Sequence, residues 1–149
     1  MGNLSRRDLT LDGVLTDTDI HLIAIDWIRY TVAKKSSQEQ FDTAWASTIE
    51  MDMWLEDRFE DLWRLILAIH SLDQSTEVMQ ILSAGPIEDL LGKSGEGGKK
   101  FISRVEDKAK SDPSFAKVLG GVWKSTMSDE VWARLQAVWD RRGWDGIPE

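Results

Sequence analysis

Cysteine is absent from all 149 residues. That excludes a disulfide framework, a thiolate metal site and a cysteine nucleophile, and with them the small disulfide-rich secreted class. Histidine occurs twice, as His21 and His70, and neither sits in a zinc motif. His70 falls on an apolar stripe near a helix end, where a satisfied core histidine is expected. No apolar run approaches the ~18 residues of a membrane span; the longest, Leu62 to Ile69, contains Arg64. The polar opening Met1 to Thr10 carries Arg6 and Arg7 with no apolar stretch behind them, so no export signal is expected. Positive charge is scarce: 18 Lys and Arg stand against 26 Asp and Glu, a net charge of −8. This balance disfavours nucleic acid as a ligand, because phosphate binding needs a cationic patch, and it favours a basic protein partner. A cytoplasmic protein with no cofactor, no metal and no membrane contact is expected.

Tryptophan, by contrast, is abundant, with eight in the chain. Each buries a large apolar area and brings an N–H that needs an acceptor. Eight exceed the needs of a core this size, so one or two are expected at the surface for binding. The 42% apolar and 30% charged shares are ordinary for a globular chain. A chain of this length buries roughly 68–70% of its unfolded surface, enough for one self-sufficient domain.

Hydrophobic spacing points to helices throughout. Residues 1–16 read as a polar lead-in, with Leu9, Leu11, Val14 and Leu15 able to pack on a single helical domain over 17–149. Asp17-Thr18-Asp19 offers an N-cap, and Ile20, Ile23, Ala24, Trp27, Ile28 and Thr31 follow at helical spacing. A second helix starts near Gln38, with Phe41, Trp45, Thr48, Ile49, Asp52, Leu55 and Phe59 on its inward stripe. A break near Glu56-Asp57 separates it from a third, because one helix from Gln38 to His70 is long for a compact domain. Ser75 caps a fourth, with Val78, Ile81 and Leu82 facing in. Gly85-Pro86 ends it and starts another, in which Glu88 and Asp89 suit the helix dipole. Lys93 to Gly98 reads as a glycine-rich loop, Asp112-Pro113 and Ser128-Asp129-Glu130 as helix starts, and Gly120-Gly121 as a stop. No segment alternates with period two. The expected fold is all-α: one compact domain of about seven or eight short helices in hairpins, a solenoid-like stack being one arrangement.

Chemistry-bearing patterns are few. Glu88 and Asp89 with Glu106 and Asp107 could pair carboxylates for acid–base work, the basis of an alternative reading as an enzyme. Helix stabilisation accounts for the same residues: the first pair lies in a first turn, and Glu106 is spaced to meet Lys110. Gly95-Glu96-Gly97-Gly98-Lys99-Lys100 lacks phosphate-loop spacing, and no strand precedes it. No Gly-x-Ser-x-Gly elbow occurs, so no catalytic residue is assigned.

The stretch Ser83-Ala84-Gly85-Pro86-Ile87-Glu88-Asp89-Leu90-Leu91 resembles a signature of a bacterial family of uncharacterised small proteins. So does Phe101-Ile102, Val105-Glu106, Ala109, Asp112-Pro113-Ser114-Phe115, Leu119 and Val122-Trp123, with Val131-Trp132 beyond. The resemblance covers roughly residues 80 to 135 well and the N-terminal half loosely. As a domain of unknown function, that family implies little chemistry. Small proteins similar to it can accompany secreted toxins, so the resemblance implies an immunity role. Where that family often carries His-Gly after the Leu-Leu pair, this chain reads Gly92-Lys93-Ser94-Gly95.

The acidic run from Glu39 to Asp61 suggests where a partner is bound: eight acids stand against Arg58 alone. On a helix, Glu50, Trp54, Asp57 and Asp61 share one face, away from the Phe41–Trp45–Leu55 stripe. An indole anchor among carboxylates suits a cationic partner. The expectation is an inhibitory protein-binding module, an immunity protein or antitoxin, that occludes a basic site on a toxin; a structural or adaptor domain is a further alternative.

Overall fold

The computed structural model describes residues 13–92, 96–142 and 144. Among these residues every regular element is helical and none is a strand, so the all-α class holds. The chain forms two compact units, residues 1–78 and 79–149.

In the first unit, α1 (Asp17–Val32), α2 (Gln38–Leu55) and α3 (Phe59–Leu72) pack pairwise against one another. The N-cap of α1 is Thr16, one residue earlier than the expected start. Its hydroxyl accepts from the Asp19 N–H at 3.1 Å, and the Asp19 carboxylate accepts from the Thr16 N–H at 2.8 Å, closing a capping box. The core gathers Ile20, Ile23 and Trp27 from α1, Ala46, Ile49 and Met53 from α2, and Leu62, Leu65, Ile66 and Ile69 from α3. Each large member contributes roughly 1.5–3 kcal/mol on leaving water. His70 is buried with them.

The break between α2 and α3 falls where the sequence placed it. Asp57 adopts φ 58°, the Arg58 N–H donates to the Met53 carbonyl at 2.8 Å, and the Asp57 N–H donates to the Trp54 carbonyl at 3.3 Å. These two bonds form a Schellman motif with Asp57 in the left-handed position.

The orientation of α2 is a correction. Its inward residues are Thr43, Ala46, Ile49, Glu50 and Met53. Phe41, Thr48 and Leu55, expected in the core, face water instead.

In the second unit, α6 (Glu96–Ser111) packs against α5 (Glu88–Gly92), α7 (Pro113–Leu119) and α8 (Asp129–Val138). α4 (Thr76–Leu82) leads into it, and Ile81, expected inside, is exposed. Gly85-Pro86 does not end that helix as expected. The backbone runs on through a π turn, Ser83–Ile87, directly into α5. Pro86 has no N–H to give and its ring crowds the preceding turn, and the helix widens there rather than breaking.

Gly98, expected in a loop, and Gly120-Gly121, which end α7 as expected, also serve close packing. Gly98 lies inside α6, where a Cβ would come within 2.3 Å of the Leu91 carbonyl oxygen. Gly120 and Gly121 admit Trp144: a Cβ on Gly121 would sit 2.7 Å from its ring, and one on Gly120 would sit 2.4 Å from the Asp140 carbonyl oxygen. The Trp144 indole N–H donates to the Lys117 carbonyl at 2.6 Å, and the Asp140 N–H donates to the Ala116 carbonyl at 2.8 Å. The returning chain thereby adds to the capping at the end of α7, where the Lys117 carbonyl also accepts from the Gly120 N–H at 3.1 Å. The expected starts hold. Asp112 accepts from the Ser114 N–H at 3.1 Å, and Ser128 accepts from the Val131 N–H at 3.2 Å.

Candidate protein-binding surface

The four residues singled out from the sequence do not form one open acidic face. Glu50 is buried on the inward side of α2. Trp54 is half-buried at the edge of that side, and Asp57 is exposed at the turn. The Asp61 side chain is 13% exposed and shared between two guanidinium groups, meeting Arg58 at 2.6 Å and Arg64 at 3.1 Å. Both arginines also reach back along the chain, Arg58 to the Gly13 carbonyl and Arg64 to the Leu15 carbonyl, each at 2.8 Å. Arg64 further meets Asp17 at 2.8 Å. Asp61 is therefore part of what ties the segment ahead of α1 to α3, a structural role. Of the lead-in's apolar residues that could pack, Leu15 is buried and Val14 is 93% exposed. The expected apolar contacts at Leu9 and Leu11 lie outside the described residues.

A buried carboxylate fixes which way α2 faces. Asp26, 1% exposed on α1, accepts the Trp45 indole N–H at 2.8 Å and an Arg29 N–H at 3.2 Å. Arg29 also meets Glu39 at 2.6 Å. With Trp45 drawn toward α1, the opposite side of α2 is turned to solvent. That side carries Phe41, Ala44, Thr48, Met51 and Leu55, spaced three and four residues apart in turn. Phe41 is 80% exposed, Leu55 57% and Met51 46%. This spacing makes a narrow seam of the kind that packs against another helix.

The two ends of the seam differ. At the N-terminal end, Tyr30, Ser36, Ser37, Gln40, Phe41 and Ala44 line a recess of about 400 Å³, with Lys34 and Lys35 just before it. At the C-terminal end, Glu56, Asp57 and Glu60 are exposed and Asp52 is half-buried. The apolar seam thus ends next to the turn and the start of α3, where the exposed acids stand.

The family match runs across both units, from residue 33 to residue 143. The chain belongs to a family of unknown function (DUF6869). Its extent takes in the α2 seam, the π turn and the Trp-rich end of the chain, and its description names no activity. No curated protein and no solved structure matches the chain.

Of the carboxylates considered for catalysis, Glu106 and Glu88 have different partners in the second unit. Glu106 is held by Arg134 at 2.5 and 3.0 Å, and those bonds keep its carboxyl below the ordinary range. Glu88 accepts the Trp123 backbone N–H at 3.3 Å; burial pushes its carboxyl up, more than that bond lowers it. Burial likewise raises Asp89, and Asp107 is exposed. Among the described residues no three His, Asp or Glu side chains gather in a metal-binding group, and no helix is long and apolar enough to cross a membrane.

Proposed function

We propose that this chain is an inhibitory protein-binding module, an immunity protein or antitoxin, that covers a basic site on a toxin with the outward face of α2 and the acidic corner beyond it. The observation that carries the reading is Phe41, 80% exposed at the head of an apolar seam that includes Met51 and Leu55. Exposed apolar residues scattered singly are normal, but a continuous seam beside a recess marks an interaction surface. The recess takes an apolar anchor from the partner. Glu56, Asp57 and Glu60 draw in its Lys and Arg, and the net charge of −8 steers the encounter. Asp57 belongs to this surface and Trp54 flanks it, whereas Glu50 and Asp61 serve packing. Such an inhibitor acts in the cytoplasm, stoichiometrically and without a cofactor.

The test is co-purification from the source cell, followed by reconstitution of the captured protein with the purified chain. The expected result is a one-to-one complex with a basic protein whose toxic activity is blocked. It should weaken with rising salt and lose about tenfold or more in affinity when Phe41 and Met51 are changed to Ser, the size of effect a central apolar anchor carries. Both sites are open to water, so the fold should survive the change. A complex indifferent to it, or a chain that holds no cationic partner, refutes the reading.

A further inference from the structure

The second unit holds a cleft of about 360 Å³, within the ~300–1,000 Å³ range of small-ligand sites. Its walls are three indoles, Trp123, Trp132 and Trp139, with the Gln136 amide and the cations Lys124 and Arg141. Trp132 and Trp139 stand edge to face, 5.3 Å apart at 90°, and the Arg141 guanidinium lies 4.9 Å over the Trp139 ring. Trp139 is therefore held from two directions. Trp123 is 46% exposed, and its backbone N–H is fixed by Glu88. Of the three, Trp123 is exposed and Trp132 and Trp139 are half-buried.

We propose that this cleft binds a small planar aromatic anion, a flat ring system bearing a carboxylate or phosphate. Indole rings favour a flat π surface, and Lys124 and Arg141 at the walls supply positive partners for a ligand's negative charge. Lys124 and Arg141 would repel a cationic ligand and leave a neutral one without a charge partner. Asp129 pairs with Lys124, but the two side chains are 92% and 45% exposed, so the pair is weak and an incoming anion can share the ammonium. The site is independent of the α2 face.

The experiment is calorimetric titration of the full chain with 2-naphthoate, with 2-naphthalenemethanol, which lacks the charge, and with cyclohexanecarboxylate, which lacks the π system. One 2-naphthoate should bind per chain, about tenfold or more tighter than either control. Trp123→Ala should weaken it about tenfold with the thermal midpoint unchanged, as loss of one stacking surface does. Lys124→Gln should weaken the naphthoate and leave the alcohol as it was. Adenosine monophosphate distinguishes the source of the anion: tighter binding than naphthoate assigns a nucleotide, weaker binding an aromatic carboxylate. Equal affinity for naphthoate and the alcohol, no binding at millimolar concentration, or an affinity unmoved by both substitutions overturns the proposal.

Discussion

The indole of Trp45 donates to the carboxylate of Asp26 at 2.8 Å, and this bond between α2 and α1 joins the sequence's acidity to its tryptophan content. A carboxylate 1% exposed depends on its donors. Trp45→Phe should cost about 1–2 kcal/mol by removing one of them. Asp26→Ala should cost more, about 2–4 kcal/mol, because it strands the indole N–H and takes a partner from Arg29. Arg29→Gln, on a half-exposed side chain, should cost under about 1 kcal/mol. Urea unfolding of the three variants gives the order, and a double-mutant cycle should show Asp26 and Trp45 strongly coupled; additive effects would dissolve the pair as a unit.

Stability should respond to pH in two opposed ways. Folded Glu88 and Asp89 keep their protons to higher pH than the unfolded chain does, because burial raises both. The folded state then holds more protons across that window, and stability falls as pH rises from the ordinary carboxylate range through the raised values. Glu88→Gln keeps an acceptor for the Trp123 N–H and removes the charge. The variant should be more stable than the parent at pH 7 and equal to it at pH 3, read from denaturant midpoints. Asp140 and Glu106 act the other way. Arg142 brings Asp140 down to about 2, and Arg134 lowers Glu106. Their contribution is present above the ordinary carboxylate range and is lost as pH falls toward those lowered values, so Arg134→Gln should lessen the loss of stability on acidification.

Local signals in the sequence proved legible, and choices made by tertiary contact did not. The caps at Ser128 and Asp112 and the turn at Glu56-Asp57 were readable because a helix end is decided within a few residues. The facing of α2 was not. Phe41, Thr48 and Leu55 lie on one side and Ala46, Ile49 and Met53 on the other, so the helix has two apolar stripes and periodicity alone cannot choose between them. Asp26 chooses, from another helix, by taking the Trp45 N–H. Glu50, read from the sequence as part of an open face, is therefore buried, and the open side of α2 is the one that carries Phe41. The indole cleft had a readable sign, Trp132, Gln136 and Trp139 at i, i+4 and i+7, but the cations come from the chain on either side of α8.

Glycine at 120 should prove indispensable for docking the end of the second unit. Its φ is ordinary, so Ala is conformationally allowed, yet the new Cβ would meet the Asp140 carbonyl oxygen at 2.4 Å and the Arg141 Cα at 2.9 Å. Both are backbone and cannot rotate away. Gly120→Ala should cost about 1–3 kcal/mol by overpacking. Trp144→Ala, which loses a buried ring and its bond to the Lys117 carbonyl, should cost up to about 3–5 kcal/mol. Hydrogen exchange should show the loss of protection at the Asp140 N–H in both variants; protection retained there would mean that the segment is held by something else.

Ser36 and Asp57 separate stability from binding. Each has φ near 60°, at 64° and 58°, a conformation that costs most L-residues about 1–2 kcal/mol and glycine almost none. Part of the gain on substitution is returned as unfolded-chain entropy, so Ser36→Gly and Asp57→Gly should each stabilise by about 0.5–1 kcal/mol in thermal unfolding. Asp57→Val should destabilise, because a β-branched residue fits that region worst. Only Asp57 belongs to the acidic corner. Asp57→Gly should therefore hold the fold better and the basic partner less well, with the difference from the parent shrinking as salt rises. Ser36→Gly should be stabilised alike, and because Ser36 lines the recess and carries no charge, its association should keep the parent's salt dependence. If Asp57→Gly associates as tightly as the parent at low salt, the Asp57 charge takes no part in binding.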